Sequence, residues 1–147
     1  MSIVSGLRSP YAKVDRLVYF GRMLDKIRLH GAGKLPVDEY VASLGKGFDK
    51  RCCGFLGVSY DELKAHVLAG PESDAALLAW AEERGGRRSD EDCELWNSFM
   101  MKYGFRDEAS SKLAKRIQEG GFEGKPILTM FDYIDFDEGR DPISARS

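Results

Sequence analysis

The sequence predicts an all-α fold, a single domain over residues 1–147 built from about seven short-looped helices. Three observations carry this. Apolar residues recur at a three-four spacing along most segments, which places them on one helix face. Serines or acidic residues open those segments and glycines close them, as helix caps do. No segment alternates with a clean period of two between hairpin turns, so no strand is expected.

The first helix is expected from Val14 to His30, where Leu17, Phe20, Leu24 and Ile27 share a face and Gly31, Gly33 and Pro36 supply the stop. Residues 37–57 read as two short helical pieces split at Gly45 and Gly47, the second carrying Phe48, Cys52, Phe55 and Leu56 and ending at Gly57. Ser59 and Glu62 match the S-x-x-E capping box and open a helix through Val67 that closes at Gly70. Two further segments, Ser73 to Arg84 and Ser89 to Tyr103, each begin with serine and an acidic first turn, which suits the positive end of the helix dipole. Asp107 is expected to cap a helix to Glu119, stopped by Gly120 and Gly121, and Pro126 to start a last one ending near Asp137.

A chain of 147 residues buries about two-thirds of its unfolded surface, so no cofactor, metal or disulfide is called for to hold it together. With 43% hydrophobic and 31% charged residues it has the profile of a soluble globular protein. No run approaches the roughly 18 apolar residues of a membrane span, and the first residues lack the basic start and apolar stretch of a signal peptide. The cysteines, Cys52, Cys53 and Cys93, are odd in number and two adjoin, unlike a secreted disulfide framework. A cytoplasmic location follows as the expectation.

Charge is unevenly divided. Residues 1–58 hold ten Lys/Arg against five Asp/Glu, whereas residues 59–147 hold twelve against nineteen, for a formal net charge of −2. Either the two regions solvate the fold and pair with one another, or the basic part meets an anion. The acidic balance and the absence of a known reader motif argue against duplex nucleic acid as a partner.

The candidate ligand-binding residues are the cations Arg22, Lys26, Arg28, Lys34 and Arg51, with Lys46 and Lys50 beside them. Arg22 and Lys26 lie one helical turn apart. Glycines at Gly31, Gly33, Gly45 and Gly47 would let backbone N–H groups approach a phosphate or carboxylate, near a helix N-terminus at Asp49. Neither stretch matches a nucleoside-triphosphate loop. The competing reading is helix C-caps and a solvated face.

In the C-terminal run from Phe131 to Arg140, Asp132 and Asp135 share a helix face at a spacing that suits a hard divalent cation, but the EF-hand order fails. No metal is therefore assigned, and the same carboxylates suit solvent or ion pairs with the basic half. Cys52 follows Arg51, whose charge favours a thiolate, although a buried cysteine is ordinarily a small hydrophobe. His30, at the end of the first helix, is a candidate base or a C-terminal cap, and Asp49 is a further catalytic candidate. His66 reads as structural. Trp80, Trp96, Phe99, Tyr103 and Phe105 are spaced for a core, with Asn97 setting an amide beside it.

Several motifs run together: Leu7-Arg8-Ser9-Pro10, Gly21 through Arg28, Gly33-Lys34-Leu35, Leu44 through Asp49 with Arg51-Cys52-Cys53, Phe55-Leu56-Gly57, Arg106 through Ala109, and Phe131 through Arg140. In these the chain resembles a bacterial family known as domain of unknown function 5069, over nearly its whole length. The resemblance implies a small stand-alone bacterial protein and brings no activity with it.

Two functions are therefore expected. One is a binding or accessory module that presents the basic cluster to an anionic small molecule or a protein partner. The other is a small enzyme using His30, Asp49 and Cys52 beside the same cations. Periodicity does not separate a dimerising apolar face from the core, so the oligomeric state is left open.

Overall fold

Eight consecutive residues, Phe20 to Ile27, are buried in the computed structural model, so the helix that carries them runs through the middle of the protein. The structure describes residues 3–141. A two-residue antiparallel hairpin, β1 (Lys13–Val14) and β2 (Leu17–Val18), leads into that central helix, α1 (Phe20–Gly31). A single turn, α2 (Val37–Tyr40), with a 3-10 turn at Val41–Ser43, precedes α3 (Phe48–Leu56) and α4 (Tyr60–Ala69). Then come α5 (Asp74–Gly85), α6 (Asp90–Lys102), α7 (Ser110–Gly120) and α8 (Met130–Asp137). Among the described residues, seven helices have two turns or more, and none is long and apolar enough to cross a membrane.

The serine caps form as expected: Ser59, Ser73 and Ser89 accept from the backbone N–H of Glu62, Ala76 and Asp92, and Asp92 returns the bond at Ser89. Each such cap contributes about 1 kcal/mol. Leu17, Phe20, Leu24 and Ile27 are all buried in the main core, with Leu56, Leu63, Leu77, Met100 and Phe131. A smaller cluster joins Leu113 of α7 to Met130 of α8, and a third joins Leu7, Leu35 and Tyr40.

The first helix starts later than its apolar spacing suggests. Val14 to Val18 is the hairpin, with Asp15 (φ 51°) and Tyr19 (φ 73°) both in the left-handed region. The cause is tertiary. The side chain of Asn97 on α6 accepts from the backbone N–H of Val18 at 3.0 Å and donates to the carbonyl of Arg16 at 2.8 Å, and Trp96 Nε1 donates to the Val18 carbonyl. Two α6 side chains thus satisfy backbone groups that a helix would have satisfied internally.

Three further expectations are corrected. Asp107 does not cap α7: its carboxylate accepts from the N–H groups of Gly104 and Ala109, within the loop, and α7 starts at Ser110. The last helix begins at Met130, capped by the Thr129 hydroxyl, because Pro126 belongs to the preceding loop. Phe99 and Phe105 are exposed, so the aromatic series from Trp80 to Phe105 is only partly core.

Candidate functional site

The N-terminal segment and α8 meet through polar groups. Arg22, from α1, forms a bidentate ion pair with Glu138 at 2.9 and 2.6 Å and also donates to the Arg8 carbonyl. Tyr40 donates to the same carboxylate at 2.7 Å, and Arg140 reaches it from the end of the chain while also donating to the carbonyl of Leu7. Ser9 donates to Asp135 at 2.8 Å, and Tyr11 donates to Asp132 at 2.6 Å. Burial opposes the charge on Glu138, but the Arg22 pair outweighs it and holds the carboxyl below its usual range. For Asp135 burial wins over the Ser9 bond and Arg140, and its carboxyl is pushed up.

A second polar knot lies beside the first. Lys26 Nζ sits 2.8 Å from Asp49 and donates to the Tyr19 hydroxyl at 2.8 Å, while that hydroxyl donates to Asp49 at 2.6 Å. The backbone N–H of Gly45 completes the shell of Asp49, which is fully buried. Burial lowers the Lys26 ammonium from its usual range against the pull of Asp49, and burial, with Asp49 second, raises the Tyr19 phenol far above its own. Tyr19 holds this position with a positive φ, a strained conformation for a bulky residue.

Both knots face one cavity of about 800 Å³. Arg22 and Lys26 of α1 form its floor, Phe48 and Tyr103 part of its wall, and Tyr133 of α8 another part. At its margin stand Lys46, Arg51 and, four residues apart on α7, Lys112 and Arg116. These four are exposed, and among the described residues none has a carboxylate within ion-pair distance. The Arg51 guanidinium lies over the rings of Tyr103 and Phe99, at 5.1 and 5.4 Å. Carboxylates line the cavity too: Glu39 and Glu119 are exposed, as the four cations are, and Asp137 is half-buried.

The expected ligand cations therefore separate. Arg22 and Lys26 lie at the floor and Arg51 at the margin. Arg28 is turned elsewhere: it pairs with Asp74 at 2.8 Å, which also binds Arg8 at 2.7 Å, and Arg8 in turn holds Asp25. Lys34 is exposed and outside the cavity. An unpaired cluster of Arg22, Lys26, Arg28 and Lys34 is thus not what the fold builds, since three of the four are ion-paired.

The residues weighed for catalysis do not converge. Cys52 and Cys53 are buried; burial, helped by Asp49, raises the Cys52 thiol far above its usual range and pushes Cys53 up to about 12, which disfavours the nucleophilic thiolate. His30 is half-buried at the end of α1 and outside the cavity, and among the described residues no hydrogen bond joins it to Asp49 or Cys52. Asp132 and Asp135 bond different N-terminal hydroxyls, and among the described residues no three His, Cys, Asp or Glu side chains are grouped to hold a metal.

Sequence spacing missed Lys112 and Arg116. The one available signal is their separation of four on a helix, which is also that of any solvated face. Tyr19, Tyr40, Tyr133 and Glu138 carry no local signal at all, because their partners come from distant elements.

No curated protein matches the chain. A match to the family described as "Domain of unknown function (DUF5069)" spans residues 4–140, and so includes both polar knots and every side chain named at the cavity. The protein is a member of the DUF5069 family.

Proposed function

We propose that the protein is a cytoplasmic bacterial binding or accessory module whose ligand is a small organic anion, taken up in the cavity between α1, α7 and α8. The observation that carries this reading is the set of four exposed cations at the cavity margin, without carboxylate partners among the described residues. Unpaired cations around a concave site attract and hold anions, whereas cations already bonded to carboxylates do not. A volume of about 800 Å³ lies within the range of small-molecule sites. That favours a small molecule over a protein partner, which would need a broad surface instead.

The test is a thermal-shift screen against inorganic phosphate, nucleotides and organic acids such as citrate, with a Lys112→Ala/Arg116→Ala variant beside the wild type. Both residues are exposed, so the variant should fold normally. A ligand at 100 times its dissociation constant stabilises by about 2.7 kcal/mol, a readable shift. Stabilisation of the wild type that is reduced in the variant supports the reading. The absence of a shift with every anion sinks it.

A further inference from the structure

The placement of charge in this cavity is specific enough to name a ligand class, an inference that rests on the anion-binding reading above. At the floor, Arg22 and Lys26 are already neutralised by Glu138 and Asp49, at distances of 2.6 and 2.8 Å. An anion driven that deep would face two buried carboxylates and lose its own hydration. The cations without carboxylate partners are at the exposed margin. The anionic group of the ligand therefore belongs at the mouth, with the rest of the molecule inward.

The margin also sets how much charge it suits. Four cations, Arg51, Arg116, Lys46 and Lys112, against two exposed carboxylates, Glu39 and Glu119, leave an excess that matches a group carrying nearly two negative charges and several acceptor oxygens, which describes a phosphate monoester better than a single carboxylate. Inorganic phosphate alone would leave most of the ~800 Å³ to water. The body that fills it must be neutral, because the floor is charge-balanced. It meets the rings of Phe48, Tyr103 and Tyr133, which suit a planar ring.

It also meets donors and acceptors together. An ammonium has three N–H donors, and Lys26 uses two, on Asp49 and Tyr19, leaving the third for a ring nitrogen or carbonyl. Asp137, half-buried on α8, offers acceptors to hydroxyl or amino groups. A neutral body with a planar ring, hydroxyls and ring acceptors, bearing one phosphate, is a nucleoside monophosphate. We infer that this cavity binds a nucleoside monophosphate with its base inward and its phosphate on the cations at the mouth.

The experiment is calorimetric titration of the protein with six probes: adenosine and uridine monophosphates, adenosine, uridine, inorganic phosphate and citrate. One of the two nucleotides should bind about tenfold or more tightly than inorganic phosphate and than its own nucleoside. Lys112→Ala/Arg116→Ala should bring that nucleotide down towards the nucleoside, and Tyr103→Leu should bring it down towards phosphate. Tyr133→Leu, at a half-buried position on α8, tests the aromatic wall if the Tyr103 variant fails to fold. Saturation-transfer NMR on the wild type should label base protons more strongly than the ribose 5′ protons. Stronger labelling at the 5′ end overturns the orientation. Equal binding of phosphate and both nucleotides overturns the inference and leaves an anion pocket; so does binding of citrate alone. Nucleosides that bind as well as nucleotides, or no binding by any probe, remove both readings.

Discussion

Arg22 and Glu138, 116 positions apart in the chain, make a bidentate ion pair at 2.9 and 2.6 Å with both side chains almost wholly buried. The pair ties the central helix to the last one. Removing one partner strands the other charge in the interior, which typically costs about 3–5 kcal/mol. Glu138→Ala should therefore lower the stability measured by urea denaturation by an amount of that order. Replacing both, as Arg22→Met/Glu138→Leu, should recover much of it. A double variant as unstable as the sum of the single ones would mean that the ion pair is not the coupling between these helices.

The same pair sets a pH dependence. Glu138 has its folded-state pKa lowered, so its contribution is present above the unfolded carboxyl value of about 4.3 and is lost as pH falls through the folded value. Asp135, whose carboxyl burial pushes up, has the opposite sign and gains stability as pH falls through its raised value. The stability difference between wild type and Glu138→Gln should hold steady near neutrality and shrink in acid. A constant difference from pH 7 to pH 3 would show that ionisation of Glu138 is not its source.

Cys52 and Cys53 should be inert in the native protein. Both are buried with raised thiol pKa values, and the reactive species is the thiolate. An aromatic disulfide reagent at pH 8 should label neither within minutes, and should label both once the chain is unfolded in guanidinium. Fast native labelling of Cys52 would restore it as a candidate nucleophile.

Two glycines on neighbouring helices should respond in opposite ways to alanine. A Cβ at Gly85 would fall 1.7 Å from the carbonyl oxygen of Leu56, where α5 crosses the end of α3, so Gly85→Ala forces backbone apart. Its loss should clearly exceed the ~1 kcal/mol of an ordinary substitution. A Cβ at Gly54, within α3, meets nothing within 4 Å, so Gly54→Ala should be neutral or stabilise by up to about 1 kcal/mol. Thermal melts of the two variants read the contrast directly.

The helices were largely legible because their signals are local. Ser59, Ser73 and Ser89 each cap within three residues, and glycines end helices α1, α3, α5 and α7 or stand just beyond them. The hairpin at Val14 to Val18 was not, since its backbone is satisfied by Asn97 and Trp96 from about 80 residues further on. The cavity was half legible. Arg22, Lys26 and Arg51 stand in motifs of the N-terminal half, but nothing near Lys112 or Arg116 marks them off from other exposed cations of α7.

By itself the sequence determined the helical class, most helix ends and the imbalance of charge between its two parts, because caps, glycine stops and apolar spacing act within one or two turns. Only the tertiary structure decided which charges are partners and which remain available. Arg22 and Lys26 read alike along α1 and alike with Lys34, yet burial beside Glu138 and Asp49 makes the first two part of the framework, while Lys34 stays in solvent. The strength of an ion pair depends on distance and on exclusion of water, and both are properties of packing that no local pattern of residues carries.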